Sequence, residues 1–145
     1  MSREFLSVKG SVFVQIWNAK GELIEEVTQS NLVVNVGKQA VATLLGSADP
    51  DKRVTIIGFG TSGVTAAGAD IDLGAQVFSK ALNGVTYSGT SAVFEYSLEL
   101  NEGNGNNIRE FGLFTEDSNL FARITRNSIN KTSDIRLTGT WTITF

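Results

Sequence analysis

The stretch IRLTGTWTITF, residues 135–145, alternates apolar and polar side chains up to its last residue. In an extended strand one face would carry the whole apolar set, which is Ile135, Leu137, Trp141, Ile143 and Phe145. This period of two is typical of a strand that packs one face on a core and exposes the other to solvent. Because the pattern runs to the end, we expect the chain to finish inside its own core and to act by docking as a complete unit.

Composition narrows the class of protein. The chain has 145 residues, 41% of them hydrophobic, which is enough to build one domain around a buried core. It contains no cysteine and no histidine, so disulfides, zinc ribbons, thiol nucleophiles and the usual general base are excluded. We therefore expect a non-enzymatic protein without a cofactor or a bound metal. A net charge of -3 argues against nucleic-acid binding.

The remaining patterns predict short antiparallel strands around one helix. The turn NAKG (18–21) separates two strand patterns and predicts a first hairpin. Apolar residues recur at helical spacing between Val36 and Leu45, and Gly46 is a typical helix stop. Asn83–Gly84 is the strongest two-residue hairpin signal in the chain. IREFGLF (108–114) and LFARITR (120–126) predict another hairpin, and NSINKTSD (127–134) predicts a loop.

Together these elements predict a mainly β fold, a β-sandwich or jelly-roll-like pair of antiparallel sheets with one short α-helix. We expect residues 1–10 to form a flexible N-terminal arm and residues 11–145 to form a single domain. No apolar run approaches the length of a membrane helix or a signal peptide. We therefore expect synthesis in a cytoplasm and no association with a membrane.

Two motifs invite a functional interpretation that their context does not support. GFGTSG (58–63) matches the dinucleotide fingerprint G-x-G-x-x-G after a predicted strand, but no helical pattern follows it. We interpret it as a structural loop. Acidic pairs at 25–26, 49 and 51, 70 and 72, and 116–117 lie in predicted strands, turns and loops, and they lack the glycine and distal glutamate of a calcium loop.

Candidate partner-binding residues fall into two groups. A basic cluster late in the chain predicts a positive patch on an acidic body, suited to an acidic protein partner; its members are Arg123, Arg126, Lys131 and Arg136. The N-terminal arm carries Phe5 and Leu6, which predict a segment that orders on contact with a partner.

Three stretches, taken in order, resemble small virion proteins of tailed bacteriophages, including the N-terminal domain of tail-collar fibre proteins. They are NLVVNVGKQAVATLL (31–45) with IIGFGTSGVTAAGADIDL (56–73), IREFGLFTEDSNLFARI (108–124), and INKTSDIRLTGTWTITF (129–145). The resemblance implies a structural virion component that binds other virion proteins. Fibre proteins continue into a shaft beyond this domain, whereas we expect the present protein to act without one.

The leading hypothesis is a capsid decoration or cement protein that bridges and stabilises coat subunits, itself a dimer or trimer. Its partners would be phage coat, tail or collar proteins. It would be made in the cytoplasm of the bacterial host and would reside in the virion. The alternative is a tail, collar or baseplate adaptor that attaches a fibre. A distant alternative is a carbohydrate-binding module, which would require an exposed tryptophan or tyrosine.

Overall fold

The computed structural model describes residues 8–47 and 49–145. These residues form ten β-strands, one α-helix and one short 3₁₀ helix at Pro50–Lys52. In chain order the elements are β1 (Lys9–Asn18), β2 (Leu23–Ser30), β3 (Leu32–Val33), α1 (Asn35–Gly46), β4 (Val54–Gly60), β5 (Gln76–Ala81), β6 (Gly84–Ser88), β7 (Ser91–Leu98), β8 (Asn106–Thr115), β9 (Leu120–Lys131) and β10 (Ile135–Thr144).

The strands form two five-stranded antiparallel sheets. Sheet A has the order β2-β1-β10-β7-β6, and sheet B has the order β3-β9-β8-β4-β5. The chain crosses between the sheets four times: at Asn31, from β2 to β3; at Leu82–Asn83, from β5 to β6; between β7 and β8; and between β9 and β10. One cluster of buried side chains draws on both sheets. The predicted β-sandwich with one α-helix is confirmed.

The closing strand β10 lies in the middle of sheet A, between β1 and β7. Leu137, Trp141 and Ile143 are buried, as the alternation predicts, while the threonines between them face outward and are half-buried. Phe145 lies past the last residue of the strand and is 43% exposed. The expectation that the chain ends inside its core is therefore wrong for this last side chain.

Within the described residues, sheet B is covered on both faces, whereas the outer face of sheet A is not. Its inner face contributes to the main core. There the ring centroid of Phe111 lies 5.1 Å from that of Phe59 and 5.9 Å from that of Tyr96, and both pairs pack edge to face. Its outer face carries a second cluster that contains Leu73 and Phe114. Cover on both faces explains why burial is continuous over residues 110–115 of β8 and 120–124 of β9, instead of alternating along the strand.

The first hairpin is confirmed, and its turn is explained by one side chain. The Asn18 Oδ1 atom accepts hydrogen bonds from the backbone N–H groups of Lys20 (2.9 Å) and Glu22 (3.0 Å). Gly21 adopts a φ of 80°, a conformation that glycine reaches without strain. The second predicted hairpin, formed by β8 and β9, is also confirmed.

Three sequence predictions about local structure are wrong. Asn83–Gly84 does not close a hairpin, because β5 and β6 belong to different sheets and the chain crosses between them there. The predicted loop 127–134 is mostly strand, because β9 continues to Lys131 and pairs with the start of β8. Lys9 and Gly10, predicted as part of the arm, belong to β1. Residues 1–7 lie outside the described part of the chain.

No helix within residues 8–47 or 49–145 is long and apolar enough to cross a membrane.

The position of β10 predicts that deletion of residues 141–145 abolishes cooperative unfolding. The deletion removes the buried Trp141 and Ile143, and residues 9–12 at the start of β1 lose their pairing with β10. Circular dichroism during urea titration would measure this, with Phe145→Ser as the control. Because Phe145 is partly exposed, the control should cost less than about 1.5 kcal/mol. A cooperative transition in the deletion variant would contradict this assignment of β10.

Candidate functional site

Glu110, the acidic residue of the IREFGLF motif, is completely buried on the outer face of sheet B. Its carboxylate accepts three hydrogen bonds from backbone N–H groups of the loop between β4 and β5. The donors are Gly74 at 2.8 Å to Oε1, and Ala75 at 2.8 Å and Ser62 at 3.0 Å, both to Oε2. A single carboxylate is therefore hydrogen-bonded to both ends of the segment 61–75, which we call the glycine-rich loop.

Arg123 on β9 completes this arrangement. Its Nε atom donates to Glu110 Oε1 at 3.1 Å, and its Nη1 atom donates to Asp70 Oδ2, inside the glycine-rich loop, at 3.0 Å. The Arg123 side chain is only 3% exposed. Glu110, Arg123, Asp70 and the three loop amides form what we call the Glu110 lock. The lock ties the loop to two strands of sheet B. Removal of one partner from a buried ion pair is strongly destabilising, because it leaves the other charge buried without compensation.

The glycines of GFGTSG allow the loop to approach this closely. A Cβ atom on Gly60 would lie 2.6 Å from the carbonyl oxygen of Ala75 and would also clash with Glu110 Oε2. β4 pairs antiparallel with both neighbours, and an irregular loop follows it instead of a helix. The motif therefore lacks the strand-to-helix turn that a dinucleotide site requires, in agreement with its interpretation as a structural loop.

The basic cluster predicted from the sequence does not form a free positive patch. Arg123 is buried in the Glu110 lock, and Lys131 is completely buried at the end of β9. Lys131 Nζ donates to Asn104 Oδ1 at 2.7 Å and to the Thr132 carbonyl at 3.0 Å. Burial lowers the pKa of Lys131, an effect that the nearby Glu102 and Glu99 partly oppose.

The other two basic residues are paired with acids, one on β2 and one directly after β7. Arg126 Nη2 lies 3.5 Å from Glu25 Oε1, and Arg136 Nε donates to Glu99 Oε2 at 2.6 Å. The hydrogen bond from Arg136 lowers the pKa of Glu99, against the opposing effect of burial. Closeness in sequence misled the prediction, because these cations lie in two sheets and each has its own partner. Phe5 and Leu6 lie outside the described residues.

An apolar groove of about 360 Å³ opens at one end of the sandwich, and we call it the end groove. It lies beyond the pair Ile56–Ala81, where the pairing of β4 with β5 stops. Val54 and Thr55, at the start of β4, therefore line the groove. Its other lining residues come from α1, the start of β9 and the adjacent ends of β6, β7 and β10. They are Val41, Leu44, Arg53, Val85, Tyr87, Ala92, Phe94, Phe121, Ile143 and Phe145.

Several apolar side chains of the end groove reach solvent. Tyr87 is 79% exposed, and Leu44, Val85 and Phe145 are each partly exposed. The sequence did not single out Tyr87, because it lies in a stretch whose pattern is ambiguous between Ile71 and Gly89. The available signal was the strand GVTYS (84–88), which contains apolar residues and no charge.

The other candidate sites receive little support from the geometry. Among the described residues, no group of three acidic side chains could hold a metal ion. Of the two tryptophans, Trp141 is fully buried, and Trp17 is half-buried with its indole N–H donating to Thr138 Oγ1 at 2.8 Å. Sugar binding would therefore depend on Tyr87 instead of a tryptophan.

The chain gave no match to any protein-family model, and no significant match to a curated protein or to a solved structure.

The Glu110 lock predicts that Glu110→Gln destabilises the fold by about 3–5 kcal/mol, because it leaves the buried Arg123 without its full charge partner. Hydrogen exchange should show faster exchange of the Ser62, Gly74 and Ala75 amides, while amides of sheet A change only with global stability. The matched control is Glu95→Gln, at an exposed position on β7. Unchanged protection of the three amides in Glu110→Gln would show that the carboxylate does not hold the loop.

Proposed function

We propose that this chain is a non-enzymatic structural protein of a tailed-bacteriophage particle, and that it decorates the capsid by bridging coat subunits. It would act by binding: each copy contacts neighbouring subunits and raises the free energy needed to separate them. Repetition over a particle multiplies weak contacts through avidity, so a modest docking surface on each copy is sufficient.

The Glu110 lock is the observation that supports this proposal. The stretches that resemble virion proteins are far apart in sequence, yet two of them meet at this one carboxylate. IREFGLFTEDSNLFARI supplies Glu110 and Arg123, and the glycine-rich loop supplies Asp70 and the three amides. Ser62 and Asp70 lie in the resembling stretch 56–73, and the other two amides directly follow it. Two of the resembling stretches thus meet at one buried polar contact, which supports the proposal.

The end groove supplies the docking surface. It combines apolar lining residues with an exposed aromatic, Tyr87, and with one basic residue, Arg53. Such a surface suits a neighbouring virion protein that inserts an apolar side chain and offers a carboxylate to Arg53. The proposed occupant is therefore an apolar segment of the coat protein with an acidic residue beside it.

A tail, collar or baseplate adaptor is the second candidate. One observation favours it: the stretches that resemble the fibre attachment domain include the β8–β9 hairpin and most of the glycine-rich loop, which form the Glu110 lock. In that case the end groove would receive a segment of a fibre or tail protein. The chemistry of docking is the same, and the two candidates differ in location and copy number.

Copy number in purified particles separates the candidates. Decoration predicts hundreds of copies per particle, measured by quantitative mass spectrometry, and binding of the purified chain to capsids that lack tails. A few to a few dozen copies, located at the neck or tail by immunogold labelling, would favour the adaptor. Absence of the chain from purified particles would overturn the proposal as a whole.

The docking surface can be tested separately on helix α1. Leu44 lines the end groove, while its neighbour Leu45 is 83% exposed and does not. Leu44→Glu places a charge in the apolar groove and should weaken binding to the particle about tenfold or more, equivalent to about 1.4 kcal/mol. Leu45→Glu is the matched control and should bind normally. Equal affinity of the two variants would show that docking uses another surface.

A further inference from the structure

The outer edge of β6 differs from the other sheet edges. Among the described residues, four strands lie at sheet edges: β2 and β6 in sheet A, and β3 and β5 in sheet B. Natural proteins protect such edges from pairing with another chain by charge or by short length. β2 carries Glu25 and Glu26, β5 carries Lys80, and β3 is only two residues long. β6 reads GVTYS and has no charge.

The side chains of β6 suit contact with another strand. Val85 and Tyr87 lie on the groove side of the strand, where they are 42% and 79% exposed. Thr86 is also exposed but does not line the groove, as the alternation of a strand requires. The strand pairs with β7 on one side only within the described residues, so its other side offers unpaired backbone donors and acceptors.

From these features we infer that two copies of this chain associate through β6, antiparallel about a two-fold axis at Thr86. The sequence of the strand is suited to pairing with itself. In this register Thr86 lies opposite Thr86 of the other copy, and Val85 lies opposite Tyr87. Aromatic side chains opposite β-branched ones, and threonine opposite threonine, are among the favourable cross-strand pairs. In a two-fold dimer, both copies also contribute the same surface patch to the interface.

The paired arrangement has a structural consequence for the end groove. Directly opposite residues in an antiparallel pair project to the same face of the sheet. Val85 and Tyr87 of the two copies therefore form one apolar surface, and the two end grooves become neighbours across the axis. Pairing along five residues is a small interface, so the dimer should be weak, in the micromolar range. The inference concerns the purified chain alone and does not depend on the virion setting.

Single-cysteine cross-linking tests the register directly, because the chain contains no cysteine of its own. In Thr86→Cys the two introduced side chains would lie opposite each other, at a Cα separation of about 4.5–5.5 Å that a disulfide can bridge. Thr28→Cys, at an exposed position on the charged edge strand β2, is the matched control. Under mild oxidation Thr86→Cys should form covalent dimer about tenfold faster than the control. Equal rates would overturn the inference.

Sedimentation of the cysteine-free chain provides the second measurement. The chain should dimerise as its concentration approaches several hundred micromolar. Thr86→Lys should raise the dissociation constant about tenfold or more, while Thr28→Lys should leave it unchanged. Circular dichroism establishes that both variants remain folded. A chain that stays monomeric throughout, or a dimer that Thr28→Lys disrupts and Thr86→Lys does not, would contradict pairing through β6.

Discussion

The buried carboxylate of Glu110 is the interaction on which sheet B and its covering loop depend. A charge removed from water costs several kcal/mol unless other groups replace the lost hydration. Glu110 obtains that replacement from three backbone amides and from Arg123. If the glycine-rich loop left the sheet, both buried charges would lose partners at once. The loop is thus held by hydrogen bonds and charge, although its small side chains supply little apolar surface.

The different environments of the two sheets follow from this arrangement. The glycine-rich loop and Val34, next to helix α1, cover the outer face of sheet B, so its central strands are buried on both sides. Sheet A has no such cover among the described residues, and the threonines of β10 face outward from it. The end groove lies beyond the covered region, where the chain after β5 crosses to sheet A and α1 forms one wall. Sheet B and helix α1 thereby position the end groove, the surface proposed for docking.

Much of the fold was predictable because its signals are local. The alternation in β10, the turn at Asn18–Gly21 and the helical spacing before Gly46 each depend on a few neighbouring residues. The crossing at Asn83–Gly84 was missed because a turn signal specifies a bend but not which sheet receives the next strand. The end of β9 was missed because its pairing with β8 outweighs the polar composition of residues 127–131.

The site was harder to predict than the fold, since its contacts join distant residues. Arg123 was assigned to a surface patch from the charges near it in sequence. Its immediate neighbours, Ala122 and Ile124, are apolar core residues, and a lone charge in an apolar strand is a signal of a buried partner. Glu110 carries this signal less clearly, because the apolar Phe111 follows it but the charged Arg109 precedes it. What the sequence lacks is the pairing: nothing local connects Glu110 to amides 35 to 48 residues away.

A double-mutant cycle on Glu110 and Arg123 tests most directly whether the lock organises this layer. The free energy of unfolding would be measured for Glu110→Gln, for Arg123→Met and for the double variant. Because each single change leaves one buried charge without its partner, the account predicts a double variant less destabilised than the sum of the two by about 2 kcal/mol or more. Additivity within about 0.5 kcal/mol would show that the two residues do not act as a unit, and would contradict the account.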